Sequence, residues 1–166
     1  MKADEDLVAT VLAELGYRCE RFSKEEMRKG LKTPEFRVFD NSSLALFCEV
    51  KTFTDPTGFY DTLKASIGKI VSEIQKGSTK SNRLVNRIRD AIQKFKDVNP
   101  DHDVPNLAVI VNRDEMFLVD DVAELIQGRV QTTNGHMFHT ISKVSRDRFA
   151  PDRNVIDAYL VLTRIN

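Results

Sequence analysis

The residues with the clearest potential for chemistry are Glu35, Glu49 and Lys51, which lie in two segments with the residue pattern of β-strands. Side chains along a strand repeat every two residues, so Glu49 and Lys51 point to one face and Val50 points to the other. Ionisable side chains within an apolar strand are costly unless they have a partner or a task. If the two strands form a hairpin, Glu35 approaches Glu49, and two carboxylates held close together repel each other unless a cation lies between them.

This pair of acids is suited to a hard divalent cation. Mg²⁺ prefers oxygen ligands, and it completes its octahedral shell with waters and substrate phosphate oxygens beside one or two carboxylates. Lys51 next to such an ion would orient or activate a water molecule, or neutralise charge that develops on a phosphate group. The alternative is that Glu49 and Lys51 form an exposed salt bridge, worth only about 0–1 kcal/mol.

Two predicted strands position these residues. Segment 35–39 alternates around Phe36 and Val38, residues 40–43 are turn-forming, and segment 44–53 is rich in apolar and aromatic residues, which together predict a hairpin. The other predicted elements are a helix at 4–15, a strand at 17–22, a turn or loop at 23–32, helices at 61–76 and 82–97, a buried strand at 106–112, a brief helix from 120 or 121 to 126, and strands at 137–144 and 155–163. This order predicts one α/β domain over residues 1–166, with a mixed β-sheet flanked by helices.

Charge is unevenly distributed along a chain that is neutral overall, with 25 basic and 25 acidic side chains. Residues 61–98 carry 9 basic and 4 acidic side chains, whereas the segments on either side are slightly acidic. The predicted helix at 82–97 carries Arg83, Arg87 and Lys94 opposite its apolar stripe. A basic element on a neutral domain can bind a polyanion, so these side chains are candidate contacts to nucleic-acid phosphates. The alternative is a face that contacts only solvent.

Composition excludes several classes of protein. Hydrophobic residues at 41% and charged residues at 30% describe a soluble globular chain, not a disordered or collagen-like one, and no apolar run approaches the roughly 18 residues needed to cross a bilayer. The acidic start of the chain lacks the basic region of a signal peptide. Cys19 and Cys48 are too few for a disulfide framework, which favours buried free thiols. We therefore expect a cytoplasmic protein with no membrane partner.

The strand motif resembles that of the PD-(D/E)XK nuclease superfamily, which includes many restriction endonucleases and Holliday-junction resolvases. The matching segments are 33–36 (TPEF) and 47–51 (FCEVK), and the likeness in element order covers about residues 4–112. The resemblance implies a restriction endonuclease-like fold. It also implies that Glu35 and Glu49 are ligands of Mg²⁺, for which Mn²⁺ can substitute. The carbonyl of Val50 would be a further ligand, and Lys51 would be the catalytic lysine.

Members of the superfamily often use one more acid from the first helix. Glu5 is the best-placed match for this metal ligand, with Asp4 and Asp6 as rivals, although the helix dipole also favours an acid near a helix N-terminus. Glu35 departs from the usual pattern, because it stands where an aspartate is expected and is one methylene longer. This departure leaves open an altered or inactive site.

The resemblance implies a metal-dependent endonuclease that hydrolyses phosphodiester bonds of nucleic acid, with DNA expected rather than RNA. Nucleases that cut both strands are often two-fold dimers, so a homodimer is a further expectation. A second hypothesis is a non-catalytic module that binds nucleic acid or protein on a degenerate nuclease fold. A third is that these residues form one domain of a larger protein.

Overall fold

The fold is given by a computed structural model that describes residues 2–28, 30–54, 78–113, 129–131, 137–139 and 150–163. Its elements in chain order are α1 (Lys2–Glu14), β1 (Arg18–Arg21), α2 (Lys24–Arg28), β2 (Phe36–Asp40), β3 (Ser43–Phe53), α3 (Ser78–Val98), β4 (Asn106–Asn112), β5 (Arg129–Gln131), β6 (Met137–His139), a 3₁₀ helix (Ala150–Val155) and β7 (Ala158–Thr163). The helices predicted at 61–76 and 120–126 lie outside the described residues.

Five strands form one mixed sheet in the order β1-β2-β3-β4-β7. The pairs β1–β2 and β2–β3 are antiparallel, whereas β3–β4 and β4–β7 are parallel. Parallel neighbours need a crossover connection, and α3 lies between β3 and β4 in the chain. The prediction of an α/β fold with a mixed sheet flanked by helices is confirmed.

The predicted hairpin is formed by β2 and β3. Phe36 pairs with Cys48 at the open end, and Asp40 pairs with Ser43 beside the turn. Asn41 in this turn has a φ of 54°, a left-handed conformation that asparagine adopts more readily than most residues. The register shifts by one residue between Val38 and Phe39, so the turn and this irregularity together decide which residue stands opposite Glu49.

Alternate residues of β3 face different helices. Cys48 and Val50 lie in a core cluster with α1, whereas Phe47 and Phe53 lie in a cluster with α3. The buried helical members of the two clusters are Val8 and Leu12 on α1, and Leu84, Val85, Ile88, Ala91, Ile92 and Phe95 on α3. Because side chains alternate along a strand, Glu49 and Lys51 extend from the face that α3 covers.

The prediction of a loop at 23–32 is wrong in its first part, because residues Lys24–Arg28 form the short helix α2. The N–H of Glu26 donates to Ser23 Oγ at 3.3 Å, and the N–H of Ser23 donates to Glu26 Oε2 at 2.8 Å. This reciprocal pair is a capping box, which satisfies backbone donors at a helix N-terminus. The Ser-x-x-Glu spacing at 23–26 was a readable helix signal.

Other boundaries differ from the predicted ones by a few residues. α3 begins at Ser78 instead of residue 82, and β7 begins at Ala158 after a 3₁₀ helix. Of the strand predicted at 137–144, the described residues Met137–His139 form β6. This strand pairs with β5, which was not predicted, in a separate two-stranded sheet. Both cysteines are free thiols, and Cys48 is buried as predicted, whereas Cys19 is only half-buried. Within the described part of the chain, no helix is long and apolar enough to cross a membrane.

Candidate active site

The hairpin register places Glu35 directly before β2 and opposite Glu49. Phe36 pairs with Cys48, and because the strands are antiparallel, one step outward sets Glu35 against Glu49. Glu49 is fully buried, with 0% of its side chain exposed, and the Glu35 side chain is 20% exposed. The sequence prediction that this hairpin brings the two carboxylates together agrees with this register.

The direction of the Val50 backbone groups follows from the strand pairing. The N–H of Phe47 donates to the Pro105 carbonyl at 2.9 Å, so the backbone groups of odd-numbered β3 residues point toward β4. Those of Val50 therefore point to the β2 side, where the extended register places Pro34. Proline has no N–H, so Pro34 cannot donate to the Val50 carbonyl. The carbonyl that the resemblance implies as a metal ligand is thus directed to the acid pair's edge of the hairpin.

Two lysines neutralise the buried carboxylate. Lys51, which is 12% exposed in its side chain, forms an ion pair with Glu49 from the same face of β3. Lys94 of α3 places its Nζ 2.8 Å from Glu49 Oε1 and 3.3 Å from Glu35 Oε2. Glu35, Glu49 and Lys51 are therefore brought together as predicted, and Lys94 joins them.

Asp90 and Lys32 complete the cluster, and sequence reasoning missed both. Lys51 Nζ donates to Asp90 Oδ2 at 2.6 Å, and Lys32 Nζ donates to Asp90 Oδ1 at 3.2 Å. Asp90 lies one helical turn before Lys94, so both side chains lie on the same side of α3. The sequence signal for Asp90 was an acid four residues before Lys94 on a basic helix.

The charges in this cluster shift the proton equilibria. Burial and the nearby Glu49 carboxylate raise the pKa of Glu35 to about 8, and the attraction of Lys94 opposes this. Burial tends to lower the pKa of Lys94, but the attraction of Glu49 and Glu35 outweighs burial and raises it. Burial tends to raise the pKa of the Asp90 carboxyl, but its hydrogen bonds with Lys51 and Lys32 outweigh burial and hold this pKa below its usual value. The raised pKa of Glu35 means that two ionised carboxylates side by side are unfavourable in this largely buried site.

The donor set fits a hard cation in one specific respect. Both carboxylate oxygens of Glu49 are buried and make no hydrogen bond of regular geometry with any described residue, although Lys51 and Lys94 lie beside them. Buried carboxylate oxygens are usually hydrogen-bonded or coordinate metals. No group of three or more His, Cys, Asp or Glu side chains with metal-binding geometry occurs in the described residues. A cation here would therefore depend on two carboxylates, a carbonyl, waters and substrate.

The structure does not bring the predicted acid Glu5 to this pair. Glu5 and Asp6 both bind the guanidinium of Arg21. Asp4 is buried and accepts a hydrogen bond from Thr52 Oγ1 at 2.7 Å. Thr52 lies on the α1 face of β3, whereas Glu49 lies on the α3 face. The acids of α1 are therefore separated from the site by the sheet.

The three basic residues predicted to contact phosphate have different surroundings. Lys94 lies inside the acid cluster, as described above. Arg83 donates to the Thr54 carbonyl at 2.7 Å, and its guanidinium lies 5.2 Å from the centre of the Phe53 ring. Arg87 is half-buried. Phosphate contact by Arg83, Arg87 and Lys94 stays a prediction, and for Lys94 the site provides other partners.

Glu35 is expected to make stability depend on pH in the absence of metal. Its pKa is higher in the folded protein, about 8 against an ordinary 4.5, so the folded state binds the extra proton between these values. The stability that this proton contributes is complete below pH 4.5 and is lost as pH rises to about 8. Glutamine at position 35 has no charge at any pH. Between about pH 5 and about pH 8.5, the unfolding free energy of the wild type should therefore fall by on the order of 3 kcal/mol relative to that of Glu35→Gln.

Urea titrations in EDTA at about pH 5 and about pH 8.5 measure this difference. Glu14→Gln, at the exposed end of α1, is the matched control and should show no comparable change. An equal difference between wild type and Glu35→Gln at both pH values would contradict the assignment.

The chain matches no protein-family model, no curated protein and no solved structure. Any functional argument therefore depends on the geometry of the cluster and on the motif that forms it.

Proposed function

We propose that this protein is a Mg²⁺-dependent endonuclease that hydrolyses phosphodiester bonds of nucleic acid, DNA rather than RNA. The observation that carries the proposal is the register of the β2–β3 hairpin, which sets Glu35 opposite the buried Glu49 with Lys51 on the same face. Two carboxylates and a lysine at the open end of a hairpin are the groups that metal-assisted phosphodiester hydrolysis needs.

The order of the elements supports the same proposal. In the described residues, α1 precedes the antiparallel strands β1, β2 and β3, with the short helix α2 between β1 and β2, and α3 precedes β4, which is parallel to β3. We propose that this arrangement is restriction endonuclease-like, in line with the resemblance of segments 33–36 and 47–51 to the PD-(D/E)XK motif. Glu35 stands where the motif usually has aspartate, and its position directly opposite Glu49 still allows the two carboxylates to form a pair.

In the proposed reaction, Glu35, Glu49 and the Val50 carbonyl would hold Mg²⁺, and Mn²⁺ would substitute for it. When bound, the ion would polarise the phosphodiester and lower the pKa of water, which supplies the nucleophile. Lys51 would place a positive charge beside the phosphate as negative charge develops on its oxygens. Its hydrogen bond to Asp90 orients the ammonium for that role.

A cleavage assay tests this proposal. Purified protein is incubated with supercoiled plasmid, single-stranded DNA, branched DNA and RNA, with Mg²⁺, with Mn²⁺ or with EDTA. We expect cleavage of a DNA substrate that depends on the divalent ion. If all four substrates stay intact with both metals, the proposal fails.

The second candidate is a non-catalytic binding module, and one observation favours it. The acids Glu35, Glu49 and Asp90 are already neutralised by ammonium groups within the protein. Such a compensated cluster is stable without metal, so the protein could bind nucleic acid with no ion present. Nucleic-acid binding that is unchanged by EDTA and an absence of cleavage would favour this candidate.

Arg83 and Arg87 give a separate prediction about duplex binding. If each contacts one phosphate, replacing both by alanine should weaken binding to different DNA sequences equally. The slope of log affinity against log salt concentration should fall in magnitude by about 0.9 for each contact. Fluorescence anisotropy over a salt series measures this slope, with Arg18→Ala on the edge strand β1 as control. An unchanged slope would show that neither arginine contacts the backbone.

A further inference from the structure

Lys94 occupies the position between the two carboxylates of the proposed metal site. Its Nζ lies 2.8 Å from Glu49 Oε1, and 3.4 and 3.3 Å from the two oxygens of Glu35. Its side chain is 17% exposed. The neighbouring Phe95 and Ala91 are buried in the core, so the backbone of α3 holds Lys94 against the sheet.

An ammonium group and a divalent cation cannot share this position. Mg²⁺ binds carboxylate oxygens at about 2.0–2.1 Å, and a cation that both glutamates ligate lies between them. Two positive charges at such a separation repel strongly where solvent is largely excluded. The same two acids therefore bind either the lysine or the metal.

We propose that Lys94 is the resident cation of this site: it holds Glu35 and Glu49 together in the metal-free protein and competes with the divalent cation for them. The inference rests on the proposed function, because it assumes that these acids are the metal ligands. Lys94 thereby sets the metal affinity of the site, and the metal binds only as the ammonium leaves.

Lys51 is not expected to compete in the same way. It also contacts Glu49, but its Nζ keeps Asp90 as a second partner at 2.6 Å. Among the described residues, the ion pairs of Lys94 are with Glu35 and Glu49 alone. Only Lys94 would lose both of its acid partners when a metal enters.

The test is Mn²⁺ binding without nucleic acid, measured by electron paramagnetic resonance on the full chain. Removal of the competing charge in Lys94→Met should tighten Mn²⁺ binding at least tenfold. Lys96→Met is the matched control, because Lys96 is exposed on the same helix and pairs with Asp152. The Lys96→Met variant should bind Mn²⁺ with the affinity of the wild type. Glu49→Gln should abolish binding in both the wild-type and the Lys94→Met backgrounds.

A second measurement uses the unmutated protein, in case Lys94→Met does not fold. Reductive methylation with formaldehyde, followed by mass spectrometry, reports how accessible each lysine amine is. Saturating Mn²⁺ should raise the labelling rate of Lys94 several-fold and leave that of the exposed Lys96 unchanged. Unchanged labelling of Lys94 would overturn the inference.

The outcomes separate the two proposals. If the wild type binds Mn²⁺ in a manner that Glu49→Gln abolishes, but folded Lys94→Met binds less than tenfold more tightly, the inference fails and the proposed function stands. If neither the wild type nor folded Lys94→Met binds Mn²⁺, both fail. Binding in Lys94→Met that is tenfold or more above the wild type supports the resident-cation role.

Discussion

Glu49→Gln is expected to lower divalent-ion-dependent cleavage by at least about 10³-fold, which corresponds to a loss of about 4 kcal/mol of transition-state stabilisation. Glutamine keeps the size of the side chain but removes the charge of the central ligand. The variant should still fold, because Lys51 keeps Asp90 as a partner and Lys94 keeps Glu35. Initial rates of plasmid cleavage, together with circular dichroism of the variant, measure both expectations.

The same substitution should remove most of the stabilisation that Mn²⁺ gives to the wild type in thermal melts, since that stabilisation follows metal affinity by mass action. Glu20→Gln is a matched control, because Glu20 lies on β1 and pairs with the exposed Arg18. The control should cut DNA and respond to Mn²⁺ as the wild type does. A Glu49→Gln protein that still gains stability from Mn²⁺ and still cuts would contradict the active-site assignment.

Lys51→Met is expected to lower cleavage by about 10²–10³-fold, the usual effect of removing one group that stabilises charge in a transition state. The fold should persist, because Glu49 keeps Lys94 and Asp90 keeps Lys32 as ion-pair partners. Binding of DNA in EDTA should change by less than about tenfold, because many contacts contribute to affinity. Single-turnover cleavage and fluorescence anisotropy measure the two effects separately.

Lys32→Met is the control for this experiment. Lys32 also pairs with Asp90, but its side chain is 58% exposed, and it has no place beside Glu49 in the proposed reaction. Its cleavage rate should stay within about threefold of the wild type, in keeping with the small effects of exposed ion pairs. If Lys51→Met and Lys32→Met cut equally well, the protein uses no catalytic lysine at this position, and the binding-module candidate gains support.

The local pattern of the chain predicted much of the scaffold. The alternation in 35–39, the apolar and aromatic residues of 44–53 and the turn-forming segment between them predicted the β2–β3 hairpin, and helical spacing of apolar residues predicted α1 and α3. These features are readable because one buried face imposes a period of two residues on a strand and of 3.6 residues on a helix. The short helix α2 was missed although its capping box lies in the sequence.

The acid pair was also predictable from the sequence, because it depends on pairing within a single hairpin. Asp40 pairs with Ser43 beside the turn, but a one-residue register shift between Val38 and Phe39 is also needed to set Glu35 opposite Glu49, and the sequence pattern did not predict that shift. Alternation then places Lys51 on the face of Glu49 without any knowledge of the rest of the fold.

By itself, therefore, the sequence pattern determined the hairpin and the placement of Lys51 on the face of Glu49, whereas the register shift between Val38 and Phe39 completed the pairing of the acids. Only the tertiary structure decided that Lys94 and Asp90 of α3 complete this cluster, while Glu5 of α1 pairs with Arg21 away from it. Helical periodicity shows which residues share a side of a helix, but not which face of the sheet the helix covers or how it is rotated there. The packing of two apolar clusters on opposite faces of the sheet makes that choice, and it depends on contacts between residues far apart in the chain.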